Sequence, residues 1–286
     1  MDQRIIDLYD EYTHAPLKRR VFLDRLAAMA GGTAAAALLL PLLEHRAVAA
    51  IVAADDARVS AASVTYPGQT GDVKGYLAKP AAGGRNGAVV VIHENRGLNA
   101  HIEDVARRVA VAGFLALAPD LLSPAGGTPA DEDKARDLIG KLDAAATVQN
   151  LVAAVAWLRK HPDGNGKVGA VGFCWGGGMT NQLAVNDPTL DAAVAYYGPQ
   201  PDAASAARIK APLLLHYGAL DDRIDAGIPA YKAALDHAGV SYKVYMYEGA
   251  NHAFNNDTSA ARYNAAAAKL AWDRTVAFLT EKLKGA

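Results

Sequence analysis

From residue 87 onward, uninterrupted apolar runs of strand length alternate with stretches whose apolar residues recur at helical spacing. "GAVVVIHE" (87–94) is the first run, and "HIEDVARRVAVAG" (101–113) is the first helical stretch, with Gly113 at its C-terminal end. "FLALAPDLL" predicts the next strand, "DEDKARDLIGKLD" a polar helix, and "TVQNLVAAVAWLRKH" an amphipathic helix closed by the turn "PDGNGK". "VGAVGF" predicts a buried strand that runs into a helix at "GGGMTNQLAVN". Further strands are expected at "DAAVAYYG" (191–198), "PLLLHYG" (212–218) and "YKVYMYE" (242–248), then a final helix with an alanine-rich face from about Ser259 to Lys284. Ahead of them, "ASVTYPGQTGDVKGYLAKP" predicts two antiparallel strands at a sheet edge. Strands without a polar alternation are buried on both faces. The pattern therefore predicts an α/β fold, a mostly parallel central sheet with helices on both faces. No linker or repeat divides residues 60–286, so 50–286 is expected to be a single domain.

The first 49 residues break this pattern. Arg19 and Arg20 precede Val21-Phe22-Leu23, an Ala/Leu run interrupted by glycines and Pro41, and the small residues Ala47-Val48-Ala49. A charged segment, a short apolar core and small residues form the layout of a secretory signal. The arginine pair resembles the twin-arginine export signal, although Asp24 stands where a lysine is more usual. Residues 1–49 are thus expected to be a leader read by the twin-arginine export machinery and cleaved after Ala49, with the mature protein periplasmic or otherwise exported.

Charge narrows the partners. The chain of 286 residues has 29 Lys plus Arg against 30 Asp plus Glu, so it has no strong field of either sign to hold nucleic acid or an anionic membrane surface. Its one cysteine cannot close an intramolecular disulfide, so Cys174 is either an inert buried thiol or a reactive one.

Its setting favours reactivity. Gly172-Phe173-Cys174-Trp175-Gly176 has the G-x-nucleophile-x-G form between a predicted strand and a predicted helix. Glycines allow the sharp turn, and the helix N-terminus favours a thiolate and an oxyanion. The remaining members of a hydrolase triad follow in the order acid, then histidine. "LLLHYGALDDRID" offers Asp221 or Asp222 just beyond a strand, Asp221 coming first, and "YMYEGANHAF" offers His252 beyond another. His216 is expected to be packed within a strand, His237 solvated on a helix, and His101 at the surface. "PDGNGK" lacks the later acidic ligands of a calcium loop, and "GFCWGGG" lacks the position and the acidic ribose ligand of a dinucleotide site, so no metal and no organic cofactor is expected.

The segments "HENRGLNAHIEDVARRVA", "GKVGAVGFCWGGG", "AVAYYG", "LLLHYGALDDRI" and "YEGANHAF", in this order, resemble the dienelactone hydrolase family of the α/β-hydrolase fold across nearly all of residues 60–286. The resemblance implies a hydrolase of esters or lactones with Cys174 as nucleophile, His252 as general base and Asp221 orienting it. It also implies that Glu94, in "VIHENRG", contacts the resting thiol and helps convert it to thiolate. In this scheme His252 takes the thiol proton and the backbone N–H groups of Trp175 and Asn95 hold the oxyanion. Water then releases the acid from a thioester. Phe254, Tyr197 and Arg136 are candidates for the substrate pocket. Members that cleave dienelactone hold the substrate carboxylate with two arginines. One of these falls here on Asn256 and the other on Ala135, next to Arg136, which favours a neutral ester or lactone. The competing readings are cleavage of thioesters or amides, and a noncatalytic small-molecule-binding protein on the same fold.

Overall fold

The computed structural model describes residues 1–14, 17–44 and 50–284, so the cleavage point expected after Ala49 lies outside the described residues. In chain order the elements are α1 (Gln3–His14), α2 (Arg19–Ala30), α3 (Thr33–Leu43), β1 (Val59–Gly68), β2 (Gly71–Pro80), β3 (Asn86–Ile92), α4 (Ala100–Val111), β4 (Leu115–Pro119), α5 (Glu132–Ile139), α6 (Ala144–Arg159), β5 (Gly164–Phe173), α7 (Trp175–Asn186), β6 (Ala192–Tyr196), β7 (Leu213–Gly218), α8 (Asp222–Asp225), α9 (Ile228–Ala238), β8 (Tyr242–Tyr247) and α10 (Ala265–Leu283).

The strands form one sheet in the order β1-β2-β4-β3-β5-β6-β7-β8. The hairpin β1–β2 supplies the antiparallel edge, and every pairing from β4 through β8 is parallel. This is the α/β-hydrolase fold. Side chains of successive strand residues point to opposite faces, so each central strand feeds two cores. Val90, Ile92, Leu117, Ala170 and Leu215 meet α6, α7 and α9 on one face. Val89, Val91, Ala116, Val171 and Leu214 meet α4 and α10 on the other. The strand order reverses between β3 and β5, which opens a crevice at their C-terminal ends, where sites of parallel sheets form.

Two expected boundaries move. β5 starts at Gly164, inside the expected turn "PDGNGK", because Asn86 pairs with Gly164 across a register irregularity. α10 starts at Ala265, not near Ser259, since Asn264 caps it by accepting a hydrogen bond from the Ala267 N–H. His101 also departs from expectation: it is buried on α4, 3.1 Å from the Asp257 carboxylate.

The described residues of the first 44 form three helices packed on the domain. Gly31 and Gly32, at φ 84° and 138°, break α2 from α3, which bend by 112°. No single helix among the described residues is long and apolar enough to cross a membrane. Tyr9, Tyr12, Phe22, Leu26 and Leu43 form a small core of their own, in which Tyr12 and Phe22 stack at 4.4 Å. Arg19 ties this core to the domain through Asp133 at 3.0 Å and also pairs with Glu44. The first member of the arginine pair therefore has a structural partner on each side. Tyr12 adds a hydrogen bond to Asp133 at 2.9 Å.

Candidate active site

Cys174 sits at the sharp turn from β5 into α7 with φ 55° and ψ −118°, a strained backbone conformation for a residue with a Cβ. The flanking glycines make the turn possible. A Cβ at Gly172 would lie 2.1 Å from the Gly176 carbonyl oxygen, and one at Gly176 would lie 2.4 Å from the carbonyl oxygens of Ile92 and His93. The turn is pinned from the sheet side by the Cys174 N–H, which donates to the Tyr196 carbonyl at 3.0 Å. Two further non-glycine residues with positive φ, Tyr197 (38°) and Ala253 (61°), stand beside the same site, after β6 and next to His252. Backbone strain is thus gathered at the C-terminal edge of the sheet.

Asp221 and His252 come together as the order of the motif requires. His252 Nδ1 is 2.6 Å from Asp221 Oδ2, with both side chains buried. Asp221 Oδ1 also caps α8 by accepting from the Ile224 N–H, which holds the carboxylate in place. Asp222, the rival from the sequence, is exposed on the first turn of α8 and takes no part. Nδ1 faces Asp221, which turns Nε2 away from the carboxylate, and this buried nitrogen has no hydrogen-bond partner among the described residues.

The thiol instead meets a residue from the N-terminal segment. His14, the last residue of α1, places Nε2 3.0 Å from Cys174 Sγ. Its Nδ1 faces the Asp10 carbonyl oxygen at 2.9 Å and the Asp10 carboxylate at 3.2 Å. Burial opposes the Asp10 charge, but the His252 and His14 imidazoles and the Arg262 guanidinium hold its carboxyl well below the usual carboxylate range. Arg223 and Arg262 approach it at 3.2 and 3.5 Å. Burial also opposes a charge on His14, yet Cys174 and Asp10 outweigh it and raise the imidazole pKa. Nothing in "DEYTHAP" marked these two residues, because an Asp and a His four apart are usual on any exposed helical face.

Glu94 lies two residues beyond β3 and is buried. Asn256 donates to its Oε2 at 2.6 Å and the Tyr197 hydroxyl donates to its Oε1 at 3.4 Å. Asn256 is 1% exposed, so the position where an arginine was sought serves the glutamate and lies away from the open pocket. Tyr197 likewise belongs to the packing around Glu94. Burial, then the charges of Glu94 and Cys174, push its phenol well above the ordinary tyrosine range. Phe254 is fully buried against Tyr196, Tyr197 and Tyr247, which corrects its expected place in the pocket. An aromatic residue two positions from a base reads the same in sequence whether it faces ligand or core.

Arg136 does face the open space. A cavity of about 230 Å³ reaches Cys174, with Asn95, Arg136, Ile139, Trp175 and Ile224 in its walls and Thr13 and His14 above. Arg136 stacks on Tyr12, with its guanidinium 4.6 Å from the ring, and pairs with Asp133 at 3.2 Å. Asn95 follows Glu94 at the end of β3, and its side chain donates to the Thr13 carbonyl at 2.9 Å. Trp175 opens α7, so its backbone N–H is one of the unpaired donors of a helix start. Its ring stacks on His93 at 5.3 Å. His93 was not marked by the sequence reading; burial lowers its pKa, which keeps it neutral as an apolar plate.

Comparison with known proteins follows the same division of the chain. The profile of the dienelactone hydrolase family matches residues 73–283, and that of the YqhI-like family matches residues 1–31. A protein from Methylorubrum extorquens named as a carboxymethylenebutenolidase is 34% identical over 242 residues, covering 78% of this chain and 81% of its own. A protein of the same name from Synechocystis is 33% identical over 239 residues, covering 77% of this chain and 96% of its own. Among solved structures, a dienelactone hydrolase from Klebsiella pneumoniae superposes with a TM-score of 0.71 at 32% identity, covering 78% of this chain and 99% of that one.

Proposed function

The chain belongs to the dienelactone hydrolase family, and from that premise we propose that it cleaves small neutral esters or lactones through a cysteine nucleophile and a thioester intermediate. The observation that carries the reading is the convergence on one cavity of the strained Cys174 elbow and the Asp221–His252 pair, held at 2.6 Å. His252 is the general base, oriented by Asp221. Cys174 gives its proton to an imidazole of the site, the thiolate attacks the carbonyl carbon, the backbone N–H groups of Trp175 and Asn95 receive the oxyanion, and the alkoxide takes that proton back from the imidazole and leaves as alcohol. His252 then activates the water that releases the acid. Glu94 lines the same small gap as Cys174, which is consistent with a role at the thiol. The absence of an arginine at Asn256, whose amide is committed to Glu94, supports a neutral substrate over a carboxylated one.

A substrate panel on the full-length protein tests this reading, setting neutral aryl esters and simple lactones beside dienelactone. Turnover is expected on the neutral compounds and to fall by about three orders of magnitude or more in Cys174→Ala. Unchanged turnover in that variant refutes the assigned nucleophile. Equal or better turnover of dienelactone refutes the account of Asn256.

The twin-arginine layout of residues 19–23 supports a second reading, of localisation: export to the periplasm by the twin-arginine machinery. N-terminal sequencing of the protein from fractionated host cells decides it. A periplasmic chain beginning near residue 50 supports cleavage, and a cytoplasmic chain with its first residues intact refutes it.

A further inference from the structure

Two imidazoles, each backed by a carboxylate, stand over one thiol. Asp221–His252 is one pair and Asp10–His14 the other, and the two rings meet edge to face at 4.6 Å. His14 Nε2, at 3.0 Å, is the nitrogen in hydrogen-bond contact with Sγ, while His252 Nε2 is buried without a partner among the described residues. The ties of α1 run to the site itself: Thr13 to Asn95, Asp10 to Arg223 and Arg262, and Tyr9 beneath the Arg262 guanidinium at 5.0 Å. The helix also leaves room for a substrate, since the cavity of about 230 Å³ stays open beside Sγ with His14 in its wall. This geometry is that of a roof contributing a functional group. A plug would have filled the space.

We propose that His14 is a catalytic residue, the acceptor of the Cys174 proton in the resting enzyme, which leaves a thiolate under an imidazolium and keeps His252 neutral for water. The proposal rests on the reading of Cys174 as the nucleophile and on a working enzyme that keeps α1, so a mature chain beginning near residue 50 would overturn it. The S–H bond breaks and an N–H bond forms at His14 Nε2. After the thiolate attacks, that proton passes from His14 to the departing alkoxide. Water then gives its proton to His252 Nε2 and its hydroxide to the thioester carbon, and the thiolate leaves. The proton on His252 returns to His14 among donor atoms that all lie within 4.8 Å of one another, and the starting state is restored. The charged and titratable groups that face His14 are Asp10 on its own helix, with Asp7 and Glu11 along it, Cys174 on the elbow, Arg136 on α5, His252 after β8, Asp221, Asp222 and Arg223 at α8, Arg262 before α10, and Glu94 and Arg96 across a small gap of about 10 Å³.

The single cysteine makes the test clean, because alkylation of the full chain by iodoacetamide reports Cys174 alone. Rates are measured against pH for the native protein, His14→Gln and His252→Gln. An ordinary thiol ionises near pH 8.5, so at pH 6.5 losing the imidazolium lowers the thiolate fraction about 100-fold. The higher basicity restores about 10-fold in nucleophilicity. His14→Gln should therefore alkylate about 10-fold more slowly at pH 6.5, with its inflection moved up, and lose kcat with little change in KM. His252→Gln should keep the native alkylation profile while losing turnover. Added imidazole should restore part of the rate in His14→Ala. A native profile in His14→Gln overturns the proposal, as does a shift in His252→Gln equal to or larger than that in His14→Gln. Should limited proteolysis find α1 undocked in His14→Gln, Asp10→Asn decides: a slower rate at pH 6.5 supports the proposal and a native rate overturns it. Alkylation needs no substrate, so failure of the hydrolase reading would appear separately, as turnover that survives in Cys174→Ala.

Discussion

At the elbow, packing distances leave no freedom of residue choice. With carbonyl oxygens 2.4 Å from any Cβ at Gly176, Gly176→Ala must push α7 away from the end of β3. Overpacking against backbone is not relieved by a rotamer change, so the cost is expected to be about 3 kcal/mol or more. Denaturant unfolding of the variant measures it, and a loss below about 1 kcal/mol would show that the turn relaxes easily. Asn256 follows the same logic at a polar position. Its amide donates to Glu94 while its carbonyl accepts from the Thr258 N–H and hydroxyl. Replacing it with the arginine of carboxylate-binding relatives would bury a guanidinium where an amide fits, so Asn256→Arg is expected to lose stability without gaining a carboxylate site. A panel of carboxylated lactones, run beside a melting curve, checks both halves of that expectation.

The N-terminal helices illustrate how an element acquires its place. α1 and α2, each of 12 residues, are too short to be stable alone in water. Their order comes from burial: Ile5, Ile6, Leu8, Tyr9, Tyr12 and Phe22 are all buried, and fully burying a large apolar side chain contributes about 1.5–3 kcal/mol. Phe22 is the keystone, stacked on Tyr12 and 6.0 Å from Tyr9. Phe22→Ala is expected to cost the docked segment about 3–5 kcal/mol while leaving the sheet intact. Limited proteolysis should then cut residues 1–44 well before the rest, and native-like protection would contradict the packing account. If the segment is released, Cys174 alkylation at low pH should change with it, since His14 leaves as well.

At the scale of the whole molecule, part of the acid sensitivity is expected to come from a histidine outside the triad, packed behind the site, where its carbonyl accepts from the Tyr197 N–H at 2.7 Å. His216 is buried in β7 between the Tyr247 hydroxyl at 2.9 Å and Thr275 Oγ1 at 3.1 Å. Burial pushes its pKa down to about 3. The unfolded chain takes up a proton at this residue below about pH 6.5, while the folded chain does not until about pH 3. Stability is therefore fully present above pH 6.5 and is lost as pH falls toward 3, by several kcal/mol on the order of 1.4 per unit. His216→Gln, which retains a polar side chain but cannot titrate, should flatten the dependence of melting temperature on pH between 6.5 and 4. An unchanged slope would assign acid sensitivity to other groups.

Much of this architecture was legible in order along the chain. Runs such as Val89–Ile92 and Leu213–Leu215 can be stable only when covered on both faces, so their alternation with amphipathic helices determined a parallel sheet. The glycines around Cys174, together with acid and histidine in hydrolase order, pointed to the elbow and to the Asp221–His252 pair, because local backbone geometry and strand ends are properties of short segments. Other choices needed the tertiary structure. Asp221 was separated from Asp222 only by the turn into α8, which buries one carboxylate against His252 and exposes the other. Phe254 and Asn256 went to core and to Glu94 because burial depends on which element packs above, a fact no single segment contains. His14 lies 160 residues before the cysteine it meets, and Asp10, which backs it, lies four residues earlier. Their role arises where an amphipathic helix, too short to stand alone, folds back over the crevice and carries an imidazole to the thiol.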